Sequence, residues 1–403
     1  MRISIITRKP RSYSVQRLKE AATERGHKIA LRRTDAFSVL VEEGKPQLHY
    51  EGKPEKARAD AVIPRIAPTL TRVGTSVVRQ FEEMGIFTLN PSHAISVSRD
   101  KLRAFQALSR HRVGMPPTVY VARPEYILSA IDDLGGAPVI IKLLEGTQGV
   151  GVILAETRKM AQAVVETLHS VEKDVLIQKF VAESRGRDIR AFVVGGKVVA
   201  AMRRQAVGDE FRSNVHRGGS TEAVTLDPAY EAVAVRAAQV MGLRVAGVDL
   251  LEGNDGPQLM EVNSSPGLEG IEGATGVDIA GAIIEHIEEQ VLFPDVPLEP
   301  RLSLGKGFSV AEFHISRNSP LKNKTIGESL LADWEVRVLS IQRDSVLLPN
   351  PRSDEKLRVG DVLLAYGKQI ALRELIPQDT KGRRTRQRPP SKKPAKPSAK
   401  EPS

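Results

Sequence analysis

The 403-residue chain contains no cysteine, which excludes disulfides, thiolate nucleophiles and zinc ribbons. No apolar run reaches the roughly 18 residues that a membrane-spanning helix needs. The chain opens directly into the strand-like Ile3-Ser4-Ile5-Ile6 with no signal-peptide pattern, so a cytoplasmic protein without a membrane span is expected. Its eight histidines are scattered, with no His-x-x-x-His pair on one helix face, and a histidine-bound metal is not expected. The first α/β stretch also lacks a Gly-x-Gly-x-x-Gly turn, which argues against a dinucleotide site there.

Charge is present but unevenly placed. The net charge is +10, and between Asp379 and Ser403 nine Lys or Arg residues face only Asp379 and Glu401. That segment therefore holds +7 and leaves the rest of the chain at +3. Five prolines and no large apolar residue fall in the same segment, so it cannot bury enough surface to fold. A disordered basic tail, residues 378–403, is expected. It can attract a ribosome, RNA or an acidic protein surface, or it can serve only as a solubilising appendage.

The most informative stretch is Val245 to Gly270. Two strands, Val245 to Leu251 and Gln258 to Val262, are predicted to join through Gly253-Asn254-Asp255-Gly256. Side chains alternate along a strand, so Glu261 and Asn263 share a side, and hairpin pairing brings Asp249 beside them. Two carboxylates and an amide oxygen form a hard, all-oxygen set suited to Mg²⁺ held together with nucleotide phosphates. The plainer alternative is a hairpin with polar residues on its wet face. Upstream, the strand Val139-Ile140-Ile141-Lys142 leads into Glu145-Gly146-Thr147-Gln148-Gly149-Val150-Gly151 and a second apolar run, Val152 to Ala155. Glycines in such a loop let backbone amides face oxyanions, and Lys142 supplies a cation. Because a strand rather than a helix follows the loop, neither a P-loop nor a Rossmann turn fits.

These residues, with Arg99-Asp100-Lys101, Gly186-Arg187-Asp188-Ile189-Arg190, Phe211-Arg212-Ser213-Asn214, His216-Arg217-Gly218-Gly219 and Glu261-Val262-Asn263-Ser264-Ser265-Pro266-Gly267, make the chain resemble the ATP-grasp superfamily. Within it the resemblance is to the RimK-type ribosomal-protein glutamate ligases, from Met1 to about Leu292. The departures Lys179-Phe180 and Ser264 remove no group that the chemistry needs. The resemblance implies an ATP-grasp fold of α/β and α+β class: a pre-ATP-grasp α/β domain (1–97) and a two-lobed ATP-grasp domain (98–292). It further implies ATP contacts from Lys101, Lys142, Gly146, Gly149, Gly151, Gln178, Lys179, Phe180, Asp188, Arg212, Ser213 and Asn214. Asp249, Glu261 and Asn263 would hold Mg²⁺ or Mn²⁺, two ions being expected. Arg190, Arg203 and Arg212 are candidates for holding a carboxylate or acyl phosphate, since guanidinium offers a bidentate fork; surface ion pairing is the alternative for each.

The activity implied is ATP-dependent addition of L-glutamate to the C-terminus of the sixth small-subunit ribosomal protein, with poly-α-glutamate as a further product. The rivals are a ligase acting on an amino-group carrier protein and a catalytically idle nucleotide-sensing module. Beyond a proline-containing linker (293–307), Ser319-Pro320-Leu321-Lys322-Asn323-Lys324-Thr325-Ile326-Gly327-Glu328 and Leu357-Arg358-Val359-Gly360-Asp361 resemble the regulatory C-terminal domain of TrkA-type potassium transport subunits. Residues 308–377 are therefore expected to form a small α/β domain that binds a small-molecule effector or mediates homo-oligomerisation. Expected local elements include a helix capped by Ser14 and a helix from Ile326 to Leu331.

Overall fold

The structure is a computed structural model that describes residues 1–55, 59–144, 151–208, 210–212, 219–292, 308–315, 319–329, 331, 333–343, 346–368 and 371–372. The tail, the linker, the loop residues 145–150 and the motif residues 213–218 lie outside the described residues. The chain divides into two units, Met1–Leu292 and Phe293–Ser403.

The first unit begins with a parallel sheet ordered Lys28–Arg32, Arg2–Thr7, Ala61–Arg65, Phe87–Thr88. Its central strands are apolar on both sides, with Ile3, Ile5, Ile6 and Val62 fully buried, as a sheet covered on two faces requires. The helix Tyr13–Glu24 buries Val15, Leu18, Ala21 and Ala22 on one stripe. Ser12 rather than Ser14 stands at its N-cap. Ser14 lies inside the helix, where its hydroxyl accepts a hydrogen bond from the Leu268 amide; a tertiary partner has displaced the expected local cap. Phe37–Leu40, Gln47–Tyr50 and Lys53–Pro54 add a small antiparallel sheet in a stretch too short and polar to announce itself.

Two antiparallel sheets follow. The four-stranded one runs Val152–Ala155, Val139–Leu143, Val175–Lys179, Thr118–Tyr120. Val139, Ile141, Val175 and Ile177 pack with the helices Ile127–Asp133 and Arg158–Ser170 in a separate core. Alternation places Ile140, Lys142, Leu176 and Gln178 on the opposite face. The five-stranded sheet runs Ser220–Ala223, Lys197–Gln205, Arg187–Val194, Val245–Gly253, Gly256–Asn263. One face packs on the helix Pro228–Met241. From the other face Phe192, Met202 and Val245 join Ile3, Ile5 and Leu18 and the helix Ile279–Leu292 in a shared core, which fixes the N-terminal sheet to the hairpin strands.

The second unit is an antiparallel sheet ordered Phe308–His314, Val362–Lys368, Arg337–Arg343, Val346–Pro349. The helix expected over 326–331 is absent among the described residues. The amides of Ile326 and Gly327 donate to the carbonyls of Glu355 and Ser353, and Thr325 bridges to Lys356, so this stretch pairs with the segment around Ser353 to Lys356 instead. Among the described residues no helix is long and apolar enough to cross a membrane.

Candidate functional site

The strands Val245–Gly253 and Gly256–Asn263 pair antiparallel with a one-residue bulge after Asp249. From the turn the register is Gly253 to Gly256 and Leu250 to Leu259; past the bulge Asp249 faces Glu261 and Gly247 faces Asn263. Without that extra residue Asp249 would face Met260. Bulges re-aim side chains in this way beside active sites. Gly247 permits the next step of the chain, since a Cβ there would stand 2.7 Å from the Pro266 ring and the loop could not fold back over the strand.

Asp249 is buried and held by three groups. Arg190 grips it fork to fork, Nε to Oδ1 at 2.7 Å and Nη2 to Oδ2 at 2.6 Å. Arg204 Nη2 lies 3.1 Å from Oδ2, and the Asn263 amide donates to Oδ2 at 3.4 Å. Burial alone would raise its pKa, but Arg190 and Arg204 override it and hold the carboxyl below its ordinary value. Glu261 opposite is open to the cleft yet crowded by protein on its other sides. That desolvation, with the Asp249 charge, raises its pKa, while Arg190, Lys142 and Lys101 oppose the rise and solvent access limits it.

Asp188 is fully buried, its oxygens 2.6 and 2.5 Å from Arg204. Arg204 was not among the sequence candidates, and Arg203 was. The reason is a second bulge, between Phe192 and Val193. An unbulged hairpin from the Gly195-Gly196 turn would set Arg203 opposite Asp188; the bulge moves Arg204 there and turns Arg203 to the other face. Arg203 pairs instead with Glu222 at 2.8 Å and Glu252 at 2.9 Å, so of the three candidate arginines only Arg190 stands at the Asp249–Glu261 pair. Arg212 is held by Glu210 at 2.8 Å, and its Nη1 reaches the Val152 carbonyl at 3.4 Å, at the foot of the glycine loop.

Two lysines complete the cluster. Asp100 caps the helix Lys101–Arg110 by accepting from the Arg103 amide, which aims Lys101 across the cleft to donate to the Leu144 carbonyl at 2.8 Å. Lys142, on the open face of its strand, is 9% exposed. Burial lowers its pKa to about 8, with Glu261 pulling it up and Lys101 pushing it down. Gln178 shares that face and donates to Thr118 Oγ1 at 2.8 Å; Lys179 is exposed and Phe180 half-buried at the strand's end. Gly151 has φ +77°, and a Cβ there would meet the Leu143 side chain at 2.5 Å, so the descending limb of the loop requires glycine. Gly146, Gly149, Ser213 and Asn214 lie outside the described residues.

The donor set fits a hard divalent cation. Asp249 is ionised, Glu261 faces it, and Asn263 adds an amide. Among the described residues no three His, Cys, Asp or Glu groups gather as a metal site.

Family models match three stretches of the chain. Residues 98–287 match the RimK-like ATP-grasp domain, residues 1–95 the RimK PreATP-grasp domain and residues 310–378 the TrkA-C domain. The chain is 55% identical over 384 residues to a probable alpha-L-glutamate ligase of Rhodopirellula baltica, covering 95% of each protein. To a probable alpha-L-glutamate ligase of Methanococcoides burtonii it is 54% identical over 289 residues, 72% of this chain and 96% of that one. Among solved structures, the ATP-grasp ligase PsnB complexed with its minimal precursor superposes with a TM-score of 0.58 at 23% identity, over 72% of this chain and 98% of that one. A RimK domain ATP-grasp protein from Sphaerobacter thermophilus gives 0.54 at 23% identity, over 72% and 100%.

Proposed function

Because the chain belongs to the RimK family of ATP-grasp ligases, ATP-dependent enzymes that form peptide bonds, we propose that it adds L-glutamate to the C-terminal carboxylate of a protein acceptor, the sixth small-subunit ribosomal protein being the favoured one. The observation that supports this most is the convergence of Lys101, Lys142, Asp249 and Glu261 from two sheets and a helix onto one cleft.

A nucleotide in the cleft would supply a γ-phosphoryl group, and a divalent cation, Mg²⁺ or Mn²⁺, would neutralise part of the phosphate charge. The acceptor carboxylate oxygen bonds to the γ-phosphorus as the bond to the β–γ bridging oxygen breaks, releasing ADP. The glutamate amine then bonds to the acyl carbon, phosphate leaves, and the nitrogen sheds a proton to solvent. The protein's work is positioning and electrostatics. Asp249 and Glu261, set opposite one another, with Asn263, would hold one or two cations. Lys101 and Lys142 would meet the phosphates. Gln178, Lys179 and Phe180 line the strand end where adenine would rest. Arg190 and Arg204 keep Asp249 ionised and oriented before the cation arrives.

Glu261→Ala tests the assignment. Its side chain is open to the cleft, so the variant keeps the wild-type thermal transition while glutamate-dependent ADP release falls at least about 100-fold, the scale of losing a group that stabilises developing charge. Unchanged ADP release in a folded variant would remove Glu261 from the site.

A further inference from the structure

Arg65 and Arg99 are half-buried arginines with no carboxylate partner among the described residues. Arg17, Arg190, Arg204 and Arg212 each have one. Arg65 closes the strand Ala61–Arg65, and its Nη1 donates to the Pro266 carbonyl at 2.6 Å, in the loop that leaves Asn263. Arg99 closes the helix Ser92–Arg99 and donates to the carbonyls of Ala67 (3.1 Å) and Ile66 (2.5 Å) and to Thr71 Oγ1 (2.7 Å). All these acceptors are neutral. The two guanidinium groups lie in each other's field, and burial lowers both pKa values to about 10, with Arg99 adding to the effect on Arg65. Placing two cations together where the protein excludes much of the water, without a counter-charge, is unfavourable. Such an arrangement fits a site whose anion arrives with a ligand.

The location agrees. Arg65 stands at the carboxyl end of a central strand of a parallel sheet, where open α/β sheets bind ligands. Thr7 pairs with Arg65 across that sheet, and Arg8 and Lys9 follow, exposed at the same edge. Arg99 is two residues from Lys101, and Pro266 three from Asn263. The pair therefore borders the cleft that holds Glu261 and Lys142.

We propose that Arg65 and Arg99 form a subsite for the side-chain carboxylate of a glutamate, either free L-glutamate or the residue at the acceptor's C-terminus, and so select glutamate over glutamine. The choice of ligand rests on the ligase reading above. Guanidinium forks match a planar carboxylate bidentately, and a neutral amide would leave both cations uncompensated, which is strong discrimination.

The test uses the full-length chain and the variants Arg65→Met and Arg65→Lys, with folding checked by thermal unfolding. Calorimetry measures binding of L-glutamate, L-glutamine and short peptides ending in Glu or Gln; steady-state ADP release gives KM for glutamate and ATP. The wild type should prefer the Glu form of at least one of these ligands. Arg65→Met should weaken that binding at least tenfold and erase the preference, Arg65→Lys should restore part of it, and KM for ATP should stay within twofold. Whether the loss falls on the free amino acid or on the peptide identifies the source. Equal affinities in wild type and Arg65→Met, or a wild type with no Glu preference, overturn the proposal. Should Arg65→Met not fold, the same comparison is made between wild type and Arg65→Lys, where undiminished binding and preference overturn it. Glutamate binding that depends on Arg65 without ADP release keeps the subsite and overturns the ligase reading instead.

Discussion

Replacing Lys142 by Met should stabilise the ATP-free protein while destroying its nucleotide affinity. Burial carries the Lys142 ammonium from the ordinary 10.5 to about 8, and each tenfold change in proton affinity is worth ~1.4 kcal/mol. The fold therefore disfavours the charged form by about 3 kcal/mol, a cost fully present at pH 7. Methionine fills a similar volume without the charge, so Lys142→Met should gain up to about 3 kcal/mol in urea unfolding of the Met1–Leu292 unit at pH 7. The sign is fixed by linkage. A lysine whose folded pKa is depressed penalises folding below about pH 8, and the penalty lifts as pH rises from there to 10.5. The advantage of the variant should accordingly shrink across that window, and thermal stabilisation by ATP should disappear. A variant less stable than wild type at pH 7, or an advantage that does not change between pH 7 and pH 10, refutes the reasoning.

Three further outcomes follow from the same geometry. Since kcat/KM reports the free enzyme's ionisations, kcat/KM for ATP should fall as pH passes above about 8, where Lys142 loses its proton; a profile flat to pH 9.5 contradicts this. Asn90, 2% exposed, accepts from the amides of Arg244 (2.9 Å) and Val245 (3.0 Å) and donates to the carbonyls of Val245 (2.7 Å) and Ser264 (2.9 Å). Asn90→Ala should then cost at least about 3 kcal/mol in denaturant unfolding, several buried polar groups being left unpaired, and a loss under 1 kcal/mol contradicts that role. Truncation after Leu292 should preserve kcat for ligation within twofold, because every candidate group lies in the first unit and the Methanococcoides relative is matched along 96% of its length by 72% of this chain; loss of turnover in a folded truncation would place a needed group in the second unit.

The hairpin carrying Asp249 and Glu261, the strands flanking the glycine loop and Lys142 are legible in the sequence because local signals encode them: alternation, a Gly-Asn-Asp-Gly turn and glycine spacing; Lys101 enters only through the resemblance to the family. What the sequence hid is non-local. Two β-bulges, after Asp249 and after Phe192, decide which side chains face one another, and only the second explains why Arg204 rather than Arg203 meets Asp188. Ser14 carries a capping residue's chemistry but spends it on Leu268, 254 positions away. Arg65 stands in no motif, and Arg99 enters only beside Asp100 and Lys101; their pairing is hidden because it depends on acceptors supplied by other elements.

The central claim is tested most directly by intact-mass analysis of the sixth small-subunit ribosomal protein incubated with the full-length chain, ATP, Mg²⁺ and L-glutamate. The account predicts one or more added glutamate residues on the acceptor, dependent on ATP and absent with Glu261→Ala. An acceptor of unchanged mass, alongside transfer of another amino acid to a carrier protein, would contradict it.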